Sequence, residues 1–144
     1  MDSEDGRLKR MILLGLAALA CLMLSACAAK PAGGVRVLLD GAEWRSGSAF
    51  PEDGDPLRVY ITLDGAALID LPFGQAHTVT IEQPEVGENT VLLTGDSVRM
   101  DHADCENQDC VNMGEVTREN LELRVMGGFI VCLPHRISVE VRGK

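Results

Sequence analysis

The stretch LRVYITLDGAALIDL, residues 57–71, decides the fold class. It consists of two apolar segments joined at Asp64-Gly65. An Asp-Gly pair between two such segments is a strong short-range signal for a β-hairpin, because both turn positions need a positive φ. The sequence therefore predicts two antiparallel strands on either side of this turn.

The same kind of pattern recurs along the chain. In RISVEV, Ile137, Val139 and Val141 are predicted to face inward. Ser138 and Glu140, between them, are predicted to face outward. Similar segments, one with a second hairpin turn at Thr94-Gly95-Asp96, are VRVLLDG (35–41), HTVTIEQ (77–83), NTVLLTGDSVRM (89–100) and GFIVCLP (128–134). Strands recurring about every ten residues, with Gly and Asp between them, predict an all-β domain, either a small barrel or a sandwich.

Three further positions carry expectations of lesser weight. Trp44 is expected in the core or at its rim. His77 opens a strand without an acidic partner nearby in sequence, so it is expected at the surface. Residues 115–126, EVTRENLELRVM, allow one short helical turn.

The first 26 residues have the pattern of an export signal. An uncharged run, residues 11–29, follows Arg7, Lys9 and Arg10, and a basic flank before an apolar core is typical of a signal peptide. A run of about 20 apolar residues also spans a bilayer, so an uncleaved anchor helix stays open as the alternative. In both cases the positive-inside rule keeps the basic flank in the cytoplasm. The predicted β domain, residues 35–144, then faces the extracytoplasmic side.

The end of the apolar run, LSAC (24–27), resembles the lipobox of bacterial lipoproteins. In that family cleavage precedes the cysteine, so the resemblance implies that Cys27 becomes the lipidated N-terminus. The segment that follows is rich in small and turn-forming residues, and 27–34 is interpreted as a flexible tether. We therefore expect a domain anchored to a bacterial membrane through lipidated Cys27 or through an N-terminal helix.

Charge argues against nucleic-acid binding. The chain carries a formal net charge of −9 at pH 7, and the remaining 118 residues keep it because residues 1–26 hold as many acids as bases. A nucleic-acid binder needs cations to displace phosphate counterions. The acidic charge instead favours solubility and keeps the domain away from anionic headgroups. A length of 118 residues suits one compact domain.

The cysteines of DHADCENQDCVNMGEV, residues 101–116, are predicted to form a disulfide. Cys105 and Cys110 close a loop of six residues, and disulfides persist in extracytoplasmic compartments. Pairing of either one with Cys132 constrains the chain more and stays open. Any single pairing leaves one thiol. Cys132, in the apolar segment FIVCL, is interpreted as that thiol and as a small buried core residue.

A metal or redox centre is the alternative use of these cysteines. The residues that could supply soft ligands for a tetrahedral zinc ion are His102, Cys105, Cys110, Cys132 and His135. A redox role has less support, because catalytic dithiols usually have C-x-x-C spacing at a helix N-terminus. Cys132 and His135 have the types of a nucleophile and its base, but with Pro134 between them their side chains need not converge. No cofactor is predicted.

The segment CENQDCVNMGEV (105–116), followed by FIVCLPHRISVEV (129–141), resembles the NusG domain II family. VLLDGAEW (37–44) and TGDSVRMDHADC (94–105) fit the same family. Two features depart from its pattern: Glu106 stands where proline is frequent, and the spacer between Cys110 and Cys132 is slightly long. The resemblance implies a small all-β domain like the insert domain of the transcription factor NusG.

Standalone members of that family are usually membrane-anchored bacterial proteins without an assigned activity. The export segment, the absence of a recognisable catalytic constellation in the sequence and this resemblance together predict a domain that is not an enzyme. Export together with acidity opposes a role in transcription. We expect it to bind or brace an unidentified protein partner at the membrane. The hypothesis of another class is a redox or metal-carrying accessory protein that uses the three cysteines.

Overall fold

The hairpin predicted at Asp64-Gly65 forms. Both residues have positive φ, 50° and 78°, as a type I′ turn requires. They join β3 (Leu57–Leu63) to β4 (Ala66–Pro72), and the two strands pair antiparallel. Turn chemistry in the sequence was therefore sufficient to place the first pair of strands.

The computed structural model describes residues 34–45, 50 and 54–144. The predicted signal or anchor segment 1–26, the lipidation site Cys27 and the tether up to residue 33 lie outside these ranges. Among the described residues no helix is both long and apolar enough to cross a membrane.

Two antiparallel sheets make up the described part of the chain, and they do not close into a barrel. The remaining elements are β1 (Arg36–Leu39), β2 (Ala42–Glu43), β5 (Ala76–Gln83), β6 (Gly87–Thr94), β7 (Ser97–Ala103), α1 (Asp109–Asn112), β8 (Val116–Thr117), β9 (Phe129–Cys132) and β10 (Ile137–Gly143). The six-stranded sheet has the order β2-β1-β5-β6-β7-β8, and the four-stranded sheet has the order β4-β3-β10-β9. The all-β prediction is confirmed.

One hydrophobic core is shared by the two sheets. Val79, Ile81 and Val91 of the six-stranded sheet are fully buried, and so are Ile61 and Val139 of the four-stranded sheet. The predicted alternation in β10 is confirmed, since its three apolar residues are buried while Ser138 and Glu140 are half-buried. The period of two in the sequence thus identifies the face that packs inward.

One of the minor expectations needs correction, and two are met. His77 is not a surface residue without a partner: its side chain is 16% exposed and its Nδ1 lies 2.8 Å from Asp40 Oδ2. Residues 115–126 hold β8 and then turns closed by helical-type backbone bonds, such as that from Leu121 N–H to the Thr117 carbonyl oxygen. Trp44 lies at the rim of the core, where its ring stacks on Phe50 with centroids 5.0 Å apart.

We expect Ile61→Ala to lower the free energy of unfolding by about 2–5 kcal/mol, because the side chain is fully buried between the sheets. Urea unfolding followed by circular dichroism measures the loss. Ser138→Ala, on the outward face of β10, serves as the control and should change stability by less than about 0.5 kcal/mol. Equal losses for the two variants would contradict the placement of the core.

Candidate functional site

Three cysteines meet at the place where the two sheets approach each other. Cys105 follows β7 of the six-stranded sheet, Cys110 lies in α1, and Cys132 ends β9 of the four-stranded sheet. Helix α1 packs against both β7 and β9. The three residues, which we call the cysteine triad, are therefore held by three separate elements rather than by one flexible loop.

The sulfur atoms of the triad lie within 4.8 Å of one another. Cys105 Sγ is 3.9 Å from Cys110 Sγ and 3.8 Å from Cys132 Sγ. All three side chains are buried, with 7% or less of each residue exposed. These separations exceed a disulfide bond of about 2.05 Å, so the three residues are thiols in this structure. Since both neighbours of Cys105 are equally near, the Cys105–Cys110 pairing and its alternative with Cys132 both stay predictions.

Gln108 fixes the loop that carries the first two cysteines. Its backbone takes the left-handed conformation, with φ 53°, just before α1. Its side-chain amide donates hydrogen bonds to the carbonyl oxygens of Ala103 and Cys105. The amide of Asn107 donates to Asp109 Oδ2 at 2.6 Å. The separation of Cys105 and Cys110 is thus set by a hydrogen-bonded turn.

The thiol of Cys110 is held in its protonated form. Burial, as the largest cause, together with the neighbouring thiols of Cys132 and Cys105, raises the pKa of this thiol to about 12. A reactive cysteine needs the opposite shift, because the thiolate is the nucleophile. The triad therefore lacks the electrostatic setting of a nucleophilic or dithiol redox site at Cys110.

The two histidines do not join the sulfur atoms in one ligand cluster. His102 is exposed on β7, opposite Thr90 of β6. His135 is 3% exposed, and polar side chains occupy both of its ring nitrogens. Its Nδ1 lies 2.7 Å from Asn89 Oδ1, and its Nε2 lies 3.3 Å from Asp104 Oδ1. Of the five residues proposed from sequence as ligands, the structure brings together the three cysteines.

The partners of His135 were not anticipated from the sequence. Gln83 donates to the His135 carbonyl oxygen at 2.9 Å, and Asn89 is fully buried. A signal for Asn89 was available: it shares the inward face of β6 with Val91 and Leu93, and a polar residue at a core position needs a hydrogen-bond partner. No comparable pattern identifies Asp104, whose approach depends on the path of the chain after β7.

Gly87 lets the His135 ring approach the backbone of β6. It has φ 144°, and a Cβ placed there would lie 2.7 Å from His135 Nε2 and would also clash with Asp104. A glycine is required both by this conformation and by the close contact. The contacts of His135 and Asp104 beside the triad thus depend on a glycine at position 87.

A small surface pocket opens beside two members of the triad. The residues that line it are Asn107, Asp109, Cys110, Val131, Cys132, Leu133 and Pro134. Cys110 and Cys132, each 1% exposed, therefore border this pocket.

Comparison with known proteins decides the family. A family model described as NusG domain II matches residues 12–144. The chain belongs to the NusG domain II family. This confirms the resemblance inferred from the cysteine segments, despite Glu106 and the long spacer. No curated protein gave a significant match.

Solved structures agree on the fold. The Lin0431 protein from Listeria innocua is 24% identical, with a TM-score of 0.53, and the match covers 62% of this chain and 99% of that one. A DUF1312 family protein from Enterococcus faecalis is 20% identical, with a TM-score of 0.53, and the match covers 61% and 98% of the two chains. At these identities the likeness shows the fold alone. The chain is a small all-β domain of the NusG domain II type.

We expect Gly87→Ala to destabilise the domain more than Gly114→Ala does. Gly114 also has a positive φ, 71°, but a Cβ there would meet no atom within 4 Å, so this control isolates the conformational cost of about 1 kcal/mol. Gly87→Ala adds a clash with His135 and Asp104. Midpoints of urea unfolding measure both losses, and equal losses would show that the close approach to His135 does not exist in solution.

Proposed function

We propose that this chain is a non-catalytic domain, anchored at the extracytoplasmic face of a bacterial membrane, that binds or braces a protein partner there. The observation that carries the proposal is a group of exposed apolar side chains at the end of the four-stranded sheet. Leu123, Val125, Met126 and Phe129, which we call the apolar loop, are 83%, 102%, 49% and 38% exposed. Exposed apolar residues that cluster along one segment are typical of an interaction surface.

The apolar loop is held in place by arginine side chains. The Arg124 guanidinium donates to the carbonyl oxygens of Met113 and Glu115, at 3.0 Å and 2.9 Å, and to that of Gly127 at 3.1 Å. At the start of the same segment, Arg118 forms an ion pair with Asp55. A loop that is already ordered loses less conformational entropy when it binds. This favours a docking surface over a solvated linker.

Charge supports a protein rather than a nucleic acid or a lipid surface as the partner. The net charge of −9 at pH 7 repels phosphate groups and anionic headgroups. Arg124, the one charged residue between Leu123 and Phe129, donates its hydrogen bonds to backbone carbonyl oxygens. Affinity for this loop would come from burial of apolar area, roughly 25 cal/mol per Å².

The chemistry of the buried groups supports the absence of catalysis. The raised pKa of Cys110 disfavours its thiolate. The ring of His135 is hydrogen-bonded to Asn89 through Nδ1 and faces Asp104 through Nε2, so both ring nitrogens lie against groups other than the Cys132 thiol. These groups are the strongest candidates for catalysis that the sequence offered.

The anchoring part of the proposal rests on sequence. The basic flank, the apolar run and LSAC (24–27) support cleavage before Cys27 and its lipidation. We expect Cys27→Ala to abolish labelling of the chain by an alkyne fatty acid in a bacterial host and to leave the uncleaved precursor. Cys21→Ala, six residues upstream within the apolar run, is the matched control and should be labelled normally. Labelling that survives in Cys27→Ala would overturn lipidation at this position.

The partner surface is tested by photo-crosslinking in the full-length chain at its native membrane. A benzoyl-phenylalanine at position 125 should give a discrete adduct with another protein, because Val125 is fully exposed at the centre of the apolar loop. The same probe at position 86 is the control, since Val86 is also exposed, at 42%, but lies outside the loop.

The adduct from position 125 should disappear when Leu123 and Met126 are both changed to Ser. Both are exposed, so these changes leave the core intact. The same adduct from positions 125 and 86, or no adduct from position 125, would contradict the proposal.

A second candidate function, a redox or metal-carrying accessory, is favoured by one observation. Cys132 converges with Cys105 and Cys110, which precede it by more than twenty residues, so that the three sulfurs lie within 4.8 Å of one another. The raised pKa of Cys110 weighs against the redox form of this function. Metal carriage is its better-supported form.

A further inference from the structure

The cysteine triad places three possible ligands of a soft metal ion within 4.8 Å of one another. We propose that Cys105, Cys110 and Cys132 form a three-thiolate site for a soft divalent cation of the Zn²⁺ type, with one coordination position open toward the adjacent pocket. The inference rests on the second candidate function and specifies its ligands, its metal class and its access route.

The sulfur separations fit a bound ion. In a tetrahedral site with metal–sulfur bonds of about 2.3 Å, the ligand sulfurs lie about 3.8 Å apart. Cys105 Sγ is 3.8 Å and 3.9 Å from the other two sulfurs. Metal binding therefore requires little change in these two sulfur–sulfur distances, whereas a disulfide requires that two sulfurs approach to about 2.05 Å.

The backbone holds the three ligands independently. Cys132 belongs to β9, which is paired with β10, so Cys132 lies opposite Ile137. Cys105 and Cys110 are fixed by the bonds of Gln108 and by α1. Ligands on separate ordered elements give a site that exists before the ion arrives. The cost of ordering the ligands is then met by folding of the domain.

Charge favours a divalent ion. When the site fills, three S–H bonds are replaced by three metal–sulfur bonds, and three protons pass to solvent. The filled site then carries a charge of about −1 with Zn²⁺ and about −2 with Cu⁺. Because a buried net charge is costly, the divalent ion leaves the smaller penalty in this buried position.

The fourth position would not be filled by a protein histidine. His135 is hydrogen-bonded to Asn89 through Nδ1 and faces Asp104 through Nε2, and His102 is exposed on β7. The pocket beside Cys110 and Cys132 instead gives access to water or to an incoming ligand. Structural zinc sites are closed by four protein ligands, while sites with three keep an exchangeable position. This triad thus suits an ion whose fourth ligand exchanges with solvent or with a group of another molecule.

The test uses the reduced full-length chain in detergent, under nitrogen, with the metal ions themselves as probes. We expect native mass spectrometry to show one Zn²⁺ per chain with the loss of three protons. Co²⁺ as a spectroscopic substitute should give a thiolate-to-metal charge-transfer band. Cys132→Ala should weaken Zn²⁺ affinity by more than about 100-fold while circular dichroism stays that of the parent.

Two controls keep the result interpretable. The variant Cys21→Ser with Cys27→Ser removes the other two cysteines of the chain and should bind Zn²⁺ as the parent does. Cys110→Ala removes a different ligand and should show the same loss of Zn²⁺ affinity as Cys132→Ala. It replaces Cys132→Ala as the test if that variant does not fold. A His135→Gln variant should keep both the ion and the charge-transfer band.

Several outcomes would overturn the inference. These are a folded, reduced protein that takes up no Zn²⁺, Zn²⁺ affinity that survives in Cys132→Ala, or uptake of Cu⁺ without uptake of Zn²⁺. Failure of the metal site alone is distinguishable from failure of the whole accessory function: alkylation without reductant would then show whether two of the three thiols are paired. Crosslinking from position 125 does not depend on the metal, so its result tests partner binding independently of the metal site.

Discussion

The pairing of β3 with β10 is the interaction on which the rest of the fold depends. It runs over seven residues, from Leu57↔Gly143 to Leu63↔Ile137. Its inward-facing pairs are the apolar ones: Val59 lies opposite Val141 and Ile61 opposite Val139. Neighbouring apolar side chains on one face stabilise a sheet beyond simple burial. Because β9 pairs with β10, the β3–β10 pairing also positions β9 and its residue Cys132.

This pairing is non-local, since it joins residues more than seventy positions apart along the chain. Closing such a loop has an entropic cost that must be met before the contacts form. The domain is thus expected to gain its hairpins first and its four-stranded sheet late. The cysteine triad and the hydrogen bonds of His135 can form only after the four-stranded sheet, because each combines residues from the two sheets.

The features predicted correctly from sequence are the local ones. Asp64-Gly65 specifies its turn by backbone conformation, and the alternation in β10 specifies its inward face, so neither needs knowledge of the rest of the chain. The order of the strands was beyond the sequence pattern, since nothing near β3 indicates that β10 lies beside it. Helix α1 escaped prediction because four residues are too few to show a helical period.

The candidate site shows the same division between local and long-range information. The residue types of the triad were visible, but the choice among its possible pairings depends on distances set by both sheets. His102 and His135 have the right chemistry for ligands, and only the tertiary structure shows that one points to solvent and that the other is bonded elsewhere. Likewise, the acidic partner of His77 is Asp40, which lies 37 positions earlier in the sequence.

The network around His135 is a polar link between two apolar layers. Gln83 and Asn89 come from the six-stranded sheet, while His135 lies between β9 and β10. No buried side-chain nitrogen or oxygen atom of the described residues lacks a hydrogen-bond partner. A satisfied network of this kind restricts how the sheets can slide, because any shift leaves polar atoms unpaired. It thereby fixes the geometry of the neighbouring sulfurs.

The exposed side chains of Leu123 and Val125 have a consequence for how copies of this protein behave together. At low ionic strength the charge of −9 keeps molecules apart over roughly 30 Å at 0.01 M salt. Added salt shortens that range to about 8 Å at 0.15 M, while the attraction between apolar surfaces persists. The colloidal stability of the isolated protein is therefore expected to fall, rather than rise, as salt approaches physiological strength.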